Sequence, residues 1–331
     1  MKALVYLGPN SLAYRDEPDP TPGNDEAIVK VEAVGICGSD MHAYHGLDSR
    51  RPAPLILGHE AAGTVVTGPR TGARVTINPL VIDPLCPYAV RGLPHLSPTR
   101  QILSMPPRPG AFADYVSVPE RNMLPISPDL PIFEAALAEP IAVSWHAVRV
   151  GAEKLRQPIA TARVAVVGGG AIGLAAALVA KLFAAAEVHV GETNAGRRET
   201  LQAIIGLTVY DPSDGGEPQA DSMDLVIDAV GAGTTRAAAS RMVRPGGVIV
   251  HIGLLPGTDG LDIRKVTLQE ITFTGSYCYT PQDFADTVHA LEHRRFGPIG
   301  WIEQRSLVDG AQAFRDIDSG SVSAAKIVLR V

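Results

Sequence analysis

The chain has 331 residues, of which 46% are hydrophobic, and its 29 basic and 35 acidic side chains give a net charge of −6. This length exceeds one ordinary core and suits two domains, and the apolar content excludes a disordered chain. The acidic balance, with no run of basic residues, gives no electrostatic footprint for nucleic acid or an anionic membrane surface and favours a small-molecule partner.

The cysteines and the first residues bear on the cellular compartment. Cys37, Cys86 and Cys278 are the only cysteines, and so few thiols in a long chain fit a reducing cytosol rather than a disulfide framework. Residues 1–6 are strand-like, and no signal-peptide hydrophobic segment follows them. Residues 164–180 carry no charge, but their glycines and short length indicate a strand, a turn and a buried helix instead of a membrane span. We therefore expect a cytoplasmic protein.

The first part of the chain, up to about Glu139, is broken into short apolar runs by glycine and proline. Such runs at close spacing predict a partly closed all-β unit. The predicted strands are Ala27–Val31, Gly63–Val66, Arg74–Ile77 and Phe112–Val116. Helical spacing of apolar residues then appears at 133–138 and 142–150, which indicates a change of domain near residue 142.

From Arg163 onward, apolar runs alternate with helical segments, a pattern typical of βαβ units in a doubly wound parallel sheet. The predicted strands are Val164–Val167, Val188–Val190, Leu225–Ala229, Val248–Ile252 and Ile271–Thr274, with a helix end near Gly206 and a turn at Arg244–Gly247. A helix at Pro281–Phe296 and a last strand at Lys326–Leu329 cannot form a core, so we expect them to pack on the first domain. The sequence thus predicts an α/β protein with domains at 1–142 and 143–278 and a return segment at 279–331.

A candidate metal site lies in the first domain. Cys37 and Asp40 stand in one glycine-flanked segment, and His59 and Glu60 follow about twenty residues later. A thiolate, an imidazole and a carboxylate are the donors that zinc prefers. Cys37 or His59 alone is better explained as a buried core residue, so the hypothesis depends on the rest of the chain.

A candidate dinucleotide site lies at the start of the second domain. The segment Gly168–Gly173 follows a strand and opens a helix, with glycines spaced for a tight turn at Gly168, for approach of a pyrophosphate at Gly170, and for helix–strand packing at Gly173. Ala171 and Ile172 would complete the phosphate-binding helix N-terminus.

The residue that selects the dinucleotide is expected about twenty positions further on, where Glu192 ends a predicted strand. Its carboxylate would accept hydrogen bonds from ribose hydroxyls and repel a 2′-phosphate, so NAD is favoured over NADP. Arg197 is also included among the cofactor-binding candidates. Arg197 and Arg198 could equally be solvated charges on a surface helix.

The chain as a whole resembles the zinc-containing medium-chain alcohol dehydrogenase family, in which a GroES-like catalytic domain is joined to a Rossmann domain. The resemblance is carried by GICGSDMH at 35–42, GHEAAGTV at 58–65, AEP at 138–140 and GGGAIG at 168–173, and it favours the sorbitol, butanediol and threonine dehydrogenase branch. It implies that Cys37, His59 and Glu139 surround one catalytic zinc ion. Glu60 would be a second carboxylate that binds through water or exchanges with water.

Two further expectations concern a structural zinc site and the role of Asp40. Many family members hold a second, structural zinc with four cysteines, and the matching positions here are Asp83, Cys86, Ala89 and Ser97. One thiol cannot close a tetrahedral site, so no structural zinc is expected. Asp40 is either an acceptor that orients the His59 ring or a carboxylate that caps a turn.

The implied reaction is the reversible oxidation of a secondary alcohol or polyol to a ketone, with hydride passing to the nicotinamide of NAD. Zinc would act as the Lewis acid, Ser39 would accept the hydroxyl proton, and His42 would relay it to solvent. Both residues could instead be a turn hydroxyl and a surface imidazole. The alternatives are a zinc-independent reductase of the same fold and a non-catalytic dinucleotide-binding sensor.

The substrate stays open among polyols, diols, hydroxy amino acids and simple secondary alcohols. Polyol-oxidising members often carry Phe-Arg-Tyr after the last Rossmann strand, whereas this chain has Tyr277–Tyr279 with a central cysteine. Tyr44, His45 and Trp145 are candidates for lining the pocket, although packing is the commoner role of such residues. A homodimer or homotetramer is expected from the family.

Overall fold

The computed structural model describes residues 1–331, which divide into two compact units. The first unit contains Met1–Pro140, Thr280–Val322 and Lys326–Val331. The second contains Ile141–Tyr279 together with Ser323–Ala325. None of the helices combines the length and the apolar character that a membrane crossing needs.

The N-terminal part of the first unit is built mainly from short strands. These are β1 (Lys2–Gly8), β2 (Ser11–Asp16), β3 (Glu26–Gly35), β4 (Leu55–Ile56), β5 (Glu60–Val65), β6 (Arg74–Ile77), β7 (Leu80–Val81), β8 (Gln101–Ile102), β9 (Tyr115–Pro119) and β10 (Met123–Pro125). Three short helices accompany them, α1 (Gly38–Tyr44), α2 (Pro87–Val90) and α3 (Ile132–Ala135). Along β3 buried positions alternate with more exposed ones, as expected of a strand with one face in a core.

One predicted strand of this unit is wrong at its start. The run Phe112–Val116 was predicted to be a strand, but β9 begins only at Tyr115. Phe112 is fully buried and its ring meets that of Phe314 edge-on at 5.9 Å, while Ala113 makes a single bridge to Ala3. The apolar run therefore reflects core packing as well as strand pairing.

The second unit is a parallel sheet with intervening helices. Its elements are α4 (Ala138–Lys154), which begins just before the division between the units, then β11 (Arg163–Val167), α5 (Ala171–Leu182), β12 (Glu187–Gly191), α6 (Ala195–Gln202), β13 (Thr208–Tyr210), β14 (Met223–Asp228), α7 (Gly233–Met242), β15 (Val243–His251), α8 (Ile263–Leu268) and β16 (Thr272–Gly275). The strand order is β13-β12-β11-β14-β15-β16, and every ladder is parallel. This is the doubly wound order that reverses between β11 and β14, which confirms the predicted fold class.

Local details of this unit differ from the predictions. Arg244–Gly247 was predicted to be a turn, but it lies within β15, where the pairing with β14 shifts register between Met223 and Leu225. Helix α6 ends at Gln202, and Gly206, with φ at +85°, lies in the connection beyond it. Glycine and proline therefore indicated an irregularity in both places without specifying its type.

The C-terminal segment returns to the sheet of the first unit. It consists of α9 (Pro281–Glu292), β17 (Ile302–Ser306), α10 (Gly310–Asp318) and β18 (Lys326–Arg330). Helix α9 is shorter than the predicted 281–296, because Arg294 adopts a left-handed φ of +54°. Strand β18 pairs antiparallel with β3 and parallel with β17, and this pairing places Val328 opposite Gly35.

Candidate metal centre and dinucleotide loop

The predicted metal ligands meet where β3 ends and β5 begins. Pairing of these strands sets Gly35 opposite Glu60, Cys37 is the N-cap residue of α1, and His59 immediately precedes β5. One ligand atom from each of Cys37, His59 and Glu60 lies within 4.8 Å of the others. His59 and Glu60 are buried and Cys37 is half-buried. Three residues that zinc prefers therefore converge in one sheltered place.

The His59 ring is oriented by two neighbours. Asp40 Oδ1 lies 3.5 Å from His59 Nδ1, and Ser104 Oγ lies 3.4 Å from the same nitrogen. Asp40 also accepts a hydrogen bond from the Cys37 backbone amide at 3.0 Å, so this carboxylate both orients the ring and caps the turn. Because Nδ1 is engaged, Nε2 is the nitrogen that can face a metal.

The charges of this pocket fit a divalent cation. Burial alone would raise the pKa of the Asp40 carboxyl, but the facing His59 outweighs burial and holds that pKa below its ordinary value. Burial would lower the pKa of His59, but the negative charges of Asp40 and Cys37 raise it well above its ordinary value. The pocket therefore favours a positive charge at the imidazole, and a metal ion bound by Cys37 and His59 supplies that charge in place of a proton.

Lys326, which the sequence reading did not select, is part of this centre. Its ammonium group donates to both carboxylate oxygens of Glu60 at 2.7 Å each and to the Ile36 carbonyl oxygen at 2.9 Å. Burial alone would lower the pKa of Lys326, but the charges of Glu60 and Cys37 raise it above its ordinary value. All three ammonium protons are used, so Glu60 is held as one half of a buried ion pair.

Glu139, the fourth predicted ligand, lies in the first turn of α4 and is buried. Its negative charge is among those that raise the pKa of Lys326, which places Glu139 in the same electrostatic neighbourhood. The three-residue cluster of ligand atoms contains Glu60 and not Glu139. Direct coordination by Glu139 therefore stays a prediction.

The predicted proton-relay residues lie on α1. Ser39 Oγ is 3.5 Å from His59 Nε2, at the edge of the metal-ligand cluster. His42 lies three residues further along the same helix and is half-buried, but no hydrogen bond joins it to Ser39. A second residue that the sequence did not indicate, Arg51, contacts the Ser39 carbonyl oxygen and hydroxyl with its guanidinium.

The positions that match a structural zinc lobe contain one thiol. Cys86 is the N-cap residue of α2, and its sulfur accepts a hydrogen bond from the Ala89 amide at 3.4 Å. Hydrogen bonds from Ser97 and from the Ala89 amide lower the pKa of Cys86. The Asp83 carboxylate accepts a hydrogen bond from the Leu85 amide. Asp83 and Cys86 therefore stabilise local turns. A single sulfur is too few for a tetrahedral zinc site.

Three aromatic candidates for the substrate pocket are engaged in packing or pairing. The Tyr44 ring is buried and packs on Phe314 with ring centres 5.4 Å apart. His45 Nε2 lies 2.7 Å from a carboxylate oxygen of Asp318. Trp145 meets Phe183 edge-on at 5.1 Å. These contacts favour the packing interpretation for the three residues.

The glycine-rich loop has the geometry predicted for a dinucleotide site. Gly168 has φ at +94°, which L-residues rarely adopt, and a Cβ on Gly173 would overlap the Gly168 carbonyl oxygen. Gly170 is the N-cap residue of α5, and the space where its Cβ would stand is open. Ala171 and Ile172 form the first turn of α5, so their backbone amides are free for a phosphate.

The side chain of Glu192 is tied to this loop. One carboxylate oxygen accepts from the Gly169 amide at 2.9 Å, and the other accepts from the Asn194 amide at 2.7 Å. Arg198 bonds the Glu192 and Thr193 carbonyl oxygens and pairs with Asp211, so it has a structural role. Arg197 differs, because its Nε is buried without a hydrogen-bond partner.

Known proteins are similar to this chain over both units. The chain matches the alcohol dehydrogenase GroES-like domain over residues 23–128 and the zinc-binding dehydrogenase domain over residues 171–293. It is 34% identical over 308 residues to L-galactonate-5-dehydrogenase of Escherichia coli, covering 86% of this chain and 85% of that protein. It is 28% identical over 352 aligned positions to D-xylulose reductase of Saccharomyces cerevisiae, covering 99% and 97%. The crystal structure of galactitol-1-phosphate dehydrogenase from Escherichia coli has the same fold, with a TM-score of 0.89, 24% identity and full coverage of both chains.

Proposed function

The chain belongs to the zinc-containing medium-chain alcohol dehydrogenase family, and we propose that it oxidises a secondary alcohol or polyol to a ketone with NAD as hydride acceptor. The observation that carries this proposal is the convergence of Cys37, His59 and Glu60 within 4.8 Å of one another. Relatives named as polyol or alcohol dehydrogenases support an alcohol substrate.

The proposed metal centre uses Cys37, His59 and one carboxylate as protein ligands. Glu139 is the proposed direct ligand, because Lys326 already holds both oxygens of Glu60. Glu60 would then approach the metal only through water or by exchange with water. When bound at this centre, zinc supplies a Lewis acid that lowers the pKa of the substrate hydroxyl.

Residues of the first unit would accept the proton that the substrate hydroxyl loses and transfer it to solvent. Ser39 Oγ lies beside His59 Nε2, so its oxygen is placed at the edge of the metal-ligand cluster and can accept that proton while it releases its own hydroxyl proton toward solvent. His42 on the same helix face is half-buried and would pass the proton to solvent. Asp40 and Ser104 contact His59 Nδ1, which would leave Nε2 to bind the metal.

Residues of the second unit bind the dinucleotide. The pyrophosphate would rest against Gly170 and the first amides of α5, where space is open. Glu192 would accept hydrogen bonds from the ribose hydroxyls with the lone pairs that its backbone contacts leave free. We propose NAD as the preferred cofactor on the charge of Glu192, with Arg197 as the residue that would meet the 2′-phosphate of NADP.

Substitution of one thiol tests the metal centre and the reaction together. We expect the purified protein to contain one zinc ion per chain and to reduce NAD with members of a panel of polyols, diols, hydroxy amino acids and secondary alcohols. Cys37→Ser should abolish zinc binding and turnover while the affinity for NAD changes by less than about twofold. Cys86→Ser is the matched control, since it removes a thiol outside the cluster, and it should retain zinc and turnover.

The same experiment separates the alternatives. Turnover by metal-free protein would indicate a zinc-independent reductase, and full activity of Cys37→Ser would overturn the proposed centre. Binding of NAD without turnover on any alcohol, with zinc present, would indicate a dinucleotide-binding sensor. We further propose a cytoplasmic protein that forms homodimers or homotetramers, because its three cysteines are all free and its family commonly assembles in this way.

A further inference from the structure

A buried arginine joins three separate segments beside the metal centre. Arg51 is 3% exposed, and its Nε donates to the Ser104 carbonyl oxygen at 3.0 Å. One terminal nitrogen donates to the Ser39 carbonyl oxygen at 3.1 Å and to Asp48 at 2.9 Å. The other terminal nitrogen lies 3.4 Å from Ser39 Oγ. A single guanidinium therefore contacts both the backbone and the hydroxyl of Ser39.

The contacts of Arg51 lie on both sides of the His59 ring. Ser39 Oγ is near His59 Nε2 at 3.5 Å, whereas Ser104 Oγ is near His59 Nδ1 at 3.4 Å. Ser104 is fully buried with a left-handed φ of +65°, a conformation that is uncommon for residues other than glycine. The hydrogen bond from Arg51 to the Ser104 carbonyl oxygen helps to fix the position of this residue.

Burial of the Arg51 guanidinium is unfavourable unless its hydrogen bonds compensate for the loss of water. Taking a guanidinium out of water is unfavourable unless it is paired and its protons are bonded. Arg51 has one carboxylate partner, Asp48, and its remaining contacts are two carbonyl oxygens and the Ser39 hydroxyl. Only the planar, forked donor set of arginine can meet these directions at once.

We propose that Arg51 is a positioning residue that fixes the Ser39 hydroxyl for proton transfer during alcohol oxidation. This inference rests on the proposed function. By donating to Ser39 Oγ, the guanidinium occupies one lone pair of the oxygen and restricts how the hydroxyl can turn. By donating to the Ser39 and Ser104 carbonyl oxygens, it sets the spacing of the two serines around His59. Arg51 itself touches neither a metal ligand atom nor the dinucleotide loop among its hydrogen-bonded partners.

The test is a kinetic double-mutant cycle between Arg51→Lys and Ser39→Ala in the zinc-loaded enzyme. Lysine keeps the charge but cannot reproduce the fork. We expect Arg51→Lys to lower kcat by about tenfold to a hundredfold, since small misplacements of reacting groups have effects of this size. Zinc content should stay unchanged, and the KM for NAD should change by less than about twofold. The solvent deuterium isotope effect on kcat should rise, because proton transfer then limits the rate more strongly.

The decisive result is the dependence on Ser39. If Arg51 acts through the Ser39 hydroxyl, Arg51→Lys should have almost no further effect on kcat once Ser39→Ala has been made. Equal effects of Arg51→Lys with and without Ser39 would overturn the inference, as would a parallel loss of zinc and activity with an unchanged isotope effect. If Arg51→Lys does not fold, Asp48→Asn provides a milder loosening of the same guanidinium, with the same expected dependence on Ser39.

Failure of the proposed function gives a different result. An enzyme that turns over no alcohol in its unsubstituted form would overturn the dehydrogenase assignment and the role of Arg51 together. Turnover with additive effects of the two substitutions would overturn only the role of Arg51.

Discussion

Removal of the Lys326 ammonium is the change that tests the structure of the metal centre most directly. In Lys326→Met the aliphatic stem is largely preserved, but the Glu60 carboxylate, which is fully buried, loses the donor that bonds both of its oxygens. Breaking a buried ion pair by removing one partner costs about 3–5 kcal/mol, because the other charge remains without compensation. We expect metal-free Lys326→Met to lose about that much free energy of unfolding.

Zinc should reduce this loss. A divalent cation bound by Cys37 and His59 would lie within reach of the Glu60 carboxylate, because one oxygen of that carboxylate belongs to the same 4.8 Å cluster. In the zinc-loaded variant Glu60 would turn to the metal, so the deficit in stability should be smaller than in the metal-free protein. Direct binding of Glu60 to zinc would fill the coordination position that the substrate oxygen needs. In Lys326→Met kcat should therefore fall, although the variant should bind zinc at least as tightly as the parent protein.

The assay can report on the first unit alone, because the chain has two tryptophans and one lies in each unit. Trp145→Phe leaves Trp301, which is 3% exposed, as the fluorescent probe of the first unit during urea unfolding. The double variant Glu60→Gln, Lys326→Met removes both charges and should be more stable than Lys326→Met. An unfolding free energy of metal-free Lys326→Met within about 1 kcal/mol of the parent would refute the ion pair as a structural element.

Three further predictions concern the dinucleotide loop and the first unit. Gly170→Ala should leave the stability of the apoprotein unchanged but weaken NAD binding by tenfold or more, whereas Gly173→Ala should destabilise the apoprotein by about 1–3 kcal/mol, as measured by thermal unfolding and NAD titration. Glu192→Gln should lower the ratio of kcat/KM with NAD to kcat/KM with NADP by about tenfold, since it removes the charge that repels a 2′-phosphate; an unchanged ratio would contradict the role of Glu192. Burial raises the pKa of Glu26, but hydrogen bonds from Arg108, Ser117 and Gly23 outweigh it and hold that pKa below the ordinary 4.5. A depressed folded-state pKa stabilises the protein above pH 4.5, and this effect is lost as the pH falls through the folded-state pKa. Glu26→Gln should therefore cost about 1 kcal/mol at pH 7, and this cost should shrink as the pH falls; a deficit that stays constant into acid would contradict this.

The sequence predicted the second unit more completely than the first. Strands β11, β14 and β15 contain the buried apolar runs 164–167, 225–227 and 248–250, so their type follows from the pattern. In the first unit, short strands are mixed with buried irregular segments. Phe112 and Ala113 have the apolar composition of a strand, but they precede β9 and bury their side chains in an irregular segment. Composition alone cannot distinguish a buried strand from a buried irregular segment.

Only those residues of the proposed metal centre that stand in short local motifs could be predicted from the sequence. Cys37, His59 and Glu60 stand in short glycine-flanked segments, whose spacing and chemistry indicate a site before the fold is known. Arg51 stands in a polar loop whose course no periodic pattern specifies, and it reaches Ser39 and Ser104 only through tertiary structure. A signal for Lys326 did exist, since it is the only charged residue at the start of the otherwise apolar segment 326–329, and a charge on a central strand requires a buried partner.

The buried charges of the proposed metal centre show what Lys326 and Arg51, the two cations that the sequence did not indicate, contribute to it. Asp40, Glu60 and Glu139 are buried acids, and the Cys37 thiolate adds a further negative charge when a metal is bound. Lys326 pairs with Glu60, and Arg51 pairs with Asp48. These two cations therefore compensate the other negative charges of the pocket only in part. Without a metal, the pocket meets this excess by raising the pKa of His59. A divalent cation would remove the same excess without a proton, so the arrangement of Lys326 and Arg51 around the candidate ligands supports the proposed metal centre.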